Sequence, residues 1–146
     1  MTARLELIAL EAIGEIAPGD DLVAHLAEPA SAVRLADDDV LTMVILHGDL
    51  PNLQAADVDS LVGALPSDGA PGVAIAPDRA GTGTNGLVLR PPGLIHFRFG
   101  VGSFAKHVAE VEAAGVPLVA VNRAGLAFDL DTPADLARWL ELGDAA

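Results

Sequence analysis

The sequence predicts an open α/β sheet, and three observations carry that reading. Apolar runs of strand length alternate with stretches of helical spacing along the chain. The run Val40-Leu41-Thr42-Met43-Val44-Ile45-Leu46 has no polar alternation, the pattern of a strand covered on both faces in a parallel sheet. The 146 residues suit one domain. A chain of that length buries roughly two thirds of its unfolded surface and needs no disulfide or metal to form a core.

Leu5 to Leu10 alternates weakly and is expected to be a strand. After the turn Pro18-Gly19-Asp20, Asp20 caps an expected helix with Leu22, Val23 and Leu26 on its apolar face, ending before Pro29. Val40–Leu46 follows as a strand. Gln54 to Leu65 has Val58, Leu61, Val62 and Leu65 at helical spacing and stops at Pro66. Val73–Ala76 and Leu87–Arg90 are expected strands either side of Gly81-Thr82-Gly83-Thr84-Asn85-Gly86. Ser103 to Ala114 is an expected helix with Ser103 as N-cap and Gly115 as its stop. Val116–Val121 is a further strand and Leu126–Leu130 an extended piece. In the last helix, Thr132 to Leu142, the only Trp, Trp139, is assigned a packing role.

Composition narrows the function. Half the residues (51%) are hydrophobic and 20% charged, which excludes a disordered chain. A net charge of -13 repels phosphate backbones and anionic lipid heads, so neither nucleic acid nor a membrane surface is an expected partner. With no cysteine, thiol catalysis and cysteine zinc sites are excluded. Met1 to Ala30 has acidic residues and no basic start, and no apolar run approaches spanning length, which predicts a cytoplasmic protein.

In an open α/β sheet, ligands collect beyond the carboxyl ends of the strands, which points to His47-Gly48-Asp49-Leu50-Pro51. Asp49 there is either an acidic ligand or the opening of a turn before Pro51. On a strand, Asp129 and Asp131 would point the same way and offer two oxygens to one hard cation. A capping box explains Thr132, Pro133 and Asp135 but leaves Asp129 unaccounted for. The glycine-rich stretch after Asp78-Arg79 suits close approach of an anion, and equally a plain hairpin loop. Phe99-Gly100-Val101-Gly102-Ser103 runs into a helix and aims backbone N–H groups at a phosphate or carboxylate, unless Ser103 is simply a cap. His107, one turn further, faces that pocket or solvent. The four His residues have no paired zinc-ligand spacing.

Asp49-Leu50-Pro51, Asp78-Arg79-Ala80-Gly81-Thr82-Gly83-Thr84-Asn85, Phe99-Gly100-Val101-Gly102-Ser103-Phe104 and Asp129-Leu130-Asp131-Thr132-Pro133, in this order, resemble the carboxyl-terminal half of the 2-phospho-L-lactate (phosphoenolpyruvate) guanylyltransferases of coenzyme F-420 biosynthesis. The resemblance implies a Rossmann-like, glycosyltransferase-A-like nucleotidyltransferase sheet. It also implies transfer of GMP from GTP to 2-phospholactate or phosphoenolpyruvate, with release of pyrophosphate. By the same resemblance Asp49, Asp129 and Asp131 would hold Mg2+. Thr84, Gly100 and Ser103 would hold the acid's carboxylate and phosphate, with Gly83 and Asn85 beside them. The acceptor's own phosphate is then the nucleophile, so no catalytic side chain is assigned.

Family members begin with a strand and a basic loop that cradles the triphosphate, and nothing similar precedes Val40. The sheet is therefore expected to be incomplete at its nucleotide-binding end, with weakened GTP binding and an open edge that favours a homodimer. Leu5 to Leu22 and Leu35 to Leu41 instead resemble the amino terminus of the coenzyme F-420 glutamate ligase. The expected division is a ligase-like segment, residues 1–44, and a guanylyltransferase-like part, residues 45–146. Two other functions stay open: a noncatalytic phospho-acid and magnesium binding module or hybrid fragment of the same pathway, and a relative of the glutamate ligase.

Overall fold

The computed structural model describes residues 41–143. The strand expected at Leu5–Leu10, the helix after Asp20 and the ligase-like segment lie outside them, apart from the last residues of that segment. Elements follow in the order β1 (Met43–Leu46), α1 (Ala55–Val62), β2 (Gly72–Pro77), β3 (Thr84–Arg90), α2 (Ser103–Ala114), β4 (Leu118–Ala120), α3 (Ala124–Ala127) and α4 (Pro133–Gly143). The alternation predicts this α/β architecture, and the four strands form one mixed sheet ordered β1-β3-β2-β4, consistent with a Rossmann-like fold. No helix among the described residues is long and apolar enough to cross a membrane.

The two central strands are the most apolar and carry the core. Every residue of β2 from Gly72 to Ala76 is buried, as is every residue of β3 from Thr84 to Leu89. One face of the sheet presents Val73, Ile75, Leu87 and Leu89 to Val111 of α2 and to Ile95. The other presents Ala74, Ala76 and Val88 to Leu61 of α1 and Leu126 of α3. The second face is built of small residues because α1 lies close to it. A methyl on Gly86 would stand 3.0 Å from Leu61 and 3.3 Å from both Ala76 and Leu46.

Two sequence expectations change here. β1 is not a doubly covered strand of a parallel sheet. It pairs antiparallel with β3, its one neighbour among the described residues, and Val44 is 37% exposed. The reason is the β2–β3 hairpin, which folds β3 back between β1 and β2. An unbroken apolar run reports burial but not the direction of the neighbouring strand. Second, 126–130 is not one extended piece: Ala124–Ala127 forms a helical turn, and irregular chain follows it. Asp129 and Asp131 are therefore not on a strand.

β1, β2 and β4 run the same way, so their carboxyl ends share one edge of the sheet, and β3 starts there. A bulge sits at that point: Ala76 pairs with Gly86 and Pro77 with Thr84, leaving Asn85 as the extra residue. In a regular strand Thr84 and Gly86 would share a face. The bulge instead turns Thr84 towards α2 and Asn85 towards α3, the re-aiming that a single inserted residue produces.

Candidate active site

Asp49 stands three residues beyond β1. Its backbone carbonyl accepts a hydrogen bond from Leu130 N–H at 3.1 Å, and this tie brings the 129–131 segment to the end of β1. Strand periodicity plays no part in gathering these acids. Asp131's carboxyl is held above its ordinary value, chiefly by the charge of Asp129, then by some loss of solvation, Asp49 and Asp135, with His47 opposing. The three expected acidic ligands thus lie in one electrostatic neighbourhood. Oδ1 of Asp49 is buried with no hydrogen-bond partner among the described residues. A buried carboxylate oxygen without a donor is costly, and a hard cation is the partner that its chemistry suits.

By donor chemistry alone the set is of the kind a hard cation such as Mg2+ takes: oxygen only, three carboxylates, one of them with an unsatisfied atom. Among the described residues no three His, Cys, Asp or Glu side chains stand at closed metal-ligand spacing, so the set is a gathering of donors and not a formed cage.

The second half of the site is built on α2. Ser103, His107 and Val111 form the buried stripe of that helix at i, i+4, i+8, with Phe104 half-buried beside it. The helix boundaries are those the sequence predicts, but the cap differs. Gly102, at φ 70°, is the N-cap and Ser103 is the first helical residue, only 2% exposed. Ser103 N–H donates to the Gly100 carbonyl (3.0 Å) and Phe104 N–H to that of Thr82 (3.1 Å), which pins the start of α2 to the β2–β3 hairpin. Gly100 has φ 99°, a conformation that favours glycine. Among the described residues, the N–H groups of Gly100, Val101 and Gly102 have no protein acceptor.

His107 is fully buried, not on a solvated face. Its Nε2 accepts the Arg98 backbone N–H at 2.9 Å, and its Nδ1 lies 3.0 Å from Thr84 Oγ1. Burial pulls its pKa down to about 4; the Glu110 charge works against this shift and Arg98 works with it. Phe99 packs edge-on to His107 at 4.9 Å between centroids and lies 5.6 Å from His47. That ring joins the Asp49 loop to the start of α2, so the acidic cluster and the Thr84, Gly100 and Ser103 group meet at one edge.

Gly83 and Asn85 have structural partners. A methyl on Gly83 would meet Asp78 Oδ2 at 2.8 Å, and Asp78 Oδ1 accepts Thr82 N–H at 2.8 Å, so these glycines serve a hairpin loop organised by Asp78. Asn85 Nδ2 donates to the Leu126 carbonyl at 3.0 Å on the other face of the sheet. Arg79 pairs with Asp135 at 3.2 Å and lies over Phe128. The Thr132–Asp135 capping box forms, and Trp139 Nε1 donates to Asn52 Oδ1.

The sequence reading missed a second polar group. Asp57, in the first turn of α1 and 5% exposed, accepts Arg123 Nε at 2.9 Å and Gln54 N–H at 3.1 Å. They border a cavity of about 750 Å³ between the loops that follow β1 and β4. None of Thr84, Ser103 or Asp129 lines that cavity. Helical periodicity places Asp57 one position before Val58, and only that position hints at burial.

Comparison with known proteins places the chain in a family. Residues 20–145 match the family described as guanylyl transferase CofC like. The chain is similar to the phosphoenolpyruvate guanylyltransferase of Sphaerobacter thermophilus, 39% identical over 93% of this chain and 72% of that protein. It is also similar to proteins of the same name from Rubrobacter xylanophilus (42% identical; 72% of this chain, 50% of that protein) and Conexibacter woesei (43% identical; 68% and 44%). The chain thus spans about half or less of two of these three relatives. On the extent of the family match and the identity to the Sphaerobacter protein, this chain belongs to the guanylyl transferase CofC-like family.

Proposed function

We propose that the chain binds a phosphorylated three-carbon acid, phosphoenolpyruvate or 2-phospholactate, and transfers GMP to it from GTP in coenzyme F-420 biosynthesis. The acid's phosphate oxygen attacks the α-phosphorus of GTP, the bond to the bridging oxygen breaks, and pyrophosphate leaves. The observation that carries this reading is the meeting of Asp49, Asp129 and Asp131 with Thr84, Gly100 and Ser103 at the carboxyl edge of the sheet.

Phosphoryl transfer needs positioning and charge neutralisation more than covalent help, and no nucleophilic side chain is required. Asp49, Asp129 and Asp131 would hold Mg2+, which when bound neutralises phosphate charge. Thr84 and Ser103 offer hydroxyl groups, and the Gly100 to Gly102 segment offers backbone N–H groups, to the acid's phosphate and carboxylate. The buried Thr84–His107 contact keeps one of those groups at a fixed position.

The test is pyrophosphate release by the purified chain with GTP, Mg2+ and each acid. Release at least about 100-fold above an Asp129→Ala control, the scale of a lost charge-stabilising contact, supports catalysis. No release, together with thermal stabilisation by phosphoenolpyruvate and Mg2+, replaces it with a binding module. Neither signal defeats both.

A further inference from the structure

We infer that His107 is a positioning residue for the phospho-acid: its fixed Nδ1–H donor fills one lone pair of the Thr84 hydroxyl and so turns that hydroxyl's own proton away from the imidazole and towards the ligand. The inference rests on the proposed acid-binding role of Thr84.

The Arg98 backbone N–H points at His107 Nε2, so that nitrogen must be bare. A buried imidazole whose pKa is pulled down to about 4 is neutral near pH 7, and a neutral ring with a bare Nε2 has its proton on Nδ1. Nδ1 then donates to Thr84 Oγ1 at 3.0 Å. A hydroxyl has one proton, and Thr84 is only 1% exposed. Among the described residues that proton has no acceptor, since the contact to His107 uses the oxygen. A buried donor left over in this way is costly unless it meets an acceptor, and a phosphate or carboxylate oxygen is the strongest available.

Two further features hold the relay. Phe99 lies edge-on against the imidazole, and Ser103 precedes His107 by one helical turn on the same buried stripe. The ring has no room to act as a general base towards GTP, because both nitrogens are occupied by protein groups. Its role is to fix the direction of the Thr84 hydrogen bond.

The two amide replacements of histidine separate this role from packing. The Nδ2 of His107→Asn can occupy the place of Nδ1 and still donate to Thr84. The longer His107→Gln can reach the Arg98 N–H but leaves Thr84 without its donor. Phosphoenolpyruvate binding in the presence of Mg2+, read by calorimetry, is expected to weaken about tenfold in His107→Gln, the scale of one charge-assisted hydrogen bond. It is expected to stay within about threefold of wild type in His107→Asn, and GTP affinity should move in neither. Added to Thr84→Val, the Gln change should have no further effect on the acid.

Affinity that follows melting temperature, with the Gln variant as good as the Asn variant, overturns the inference and assigns His107 to packing. If either variant fails to fold, the wild-type tautomer decides. Nitrogen-15 NMR showing Nδ1–H supports the relay, and Nε2–H overturns it. A wild-type chain that binds no phosphoenolpyruvate overturns the proposed function itself, and the inference falls with it. Weakened binding of equal size in both variants overturns the inference alone.

Discussion

The two halves of the site are assembled by opposite means. Around Thr84, Ser103 and His107 the groups are neutral and buried, and they are tied to one another or to backbone. Around Asp49, Asp129 and Asp131 the groups are carboxylates, the charges of Asp129 and Asp49 raise the proton affinity of Asp131, and Oδ1 of Asp49 has no donor among the described residues. A neutral hydrogen-bonded cradle contributes to folding stability. A carboxylate cluster opposes it, and such sets are tolerated where charge compensation is part of the function. The same edge of one sheet therefore carries a part that the fold stabilises and a part that it strains electrostatically.

The largest expected effect breaks the comparison by function. Asp129→Ala should lower Mg2+-dependent pyrophosphate release by about 100-fold or more, as the loss of several kcal/mol of charge stabilisation does, while leaving the melting temperature in metal-free buffer unchanged or slightly higher. A clear fall in melting temperature would mean that the acidic cluster is structural after all.

Next in size is packing behind the site. A methyl on Gly125 would run into the Asp57 carboxylate and stand 2.7 Å from the Asn52 carbonyl. Gly125→Ala should cost about 1–3 kcal/mol in urea unfolding, the range for overpacking. An unchanged midpoint would show that α3 can slide away from α1.

The cradle has its own pH signature. Folded His107 titrates near 4 and an unfolded histidine near 6.5, so between those values the unfolded chain binds the extra proton. Stability should rise with pH through that window and be lost as pH falls from 6.5 towards 4. The slope contributed is at most about 1.4 kcal/mol per pH unit. His107→Gln should flatten it. The carboxyls of Glu110, lowered mainly by its bond to Arg98, and of Asp135, lowered mainly by Thr132, add losses of the same sign. These begin only near carboxylate pH, whereas Asp131, raised by its neighbours, works the other way. Urea unfolding at pH 6.5, 5.5 and 4.5 separates the contributions.

The smallest effect concerns the cap that presents the acidic segment. Thr132→Ala removes the hydroxyl that accepts Asp135 N–H and donates to its carboxylate, and should cost about 1 kcal/mol of stability. Mg2+ affinity should change far less than in Asp129→Ala. If the two variants lose metal equally, the cap and the cluster act as one unit.

The sequence legibly marked what local chemistry controls. The helix Ser103–Ala114 is bounded by glycines whose backbone leaves the helix, and β2 and β3 are apolar on both faces because both faces are covered. The Thr132–Asp135 box is a contact three residues long, so it too could be read from the chain. His107 could not: on a helical wheel it is polar, and its burial depends on the Arg98 amide and a threonine 23 residues away. Asp57 and Arg123, 66 residues apart, meet only because α1 and α3 share one face of the sheet.

By itself, then, the sequence determined most of the elements, the Thr132–Asp135 cap, the core strands and the acid, glycine and threonine motifs, since each is set by neighbours within a turn or two. Tertiary structure decided the rest. The return of β3 made β1 antiparallel, one bulge turned Thr84 and Asn85 to opposite faces, and a single backbone hydrogen bond drew Leu130 and its flanking acids to Asp49. The physical reason is that direction, facing and long-range charge repulsion are properties of pairs distant in the chain, which no local pattern encodes.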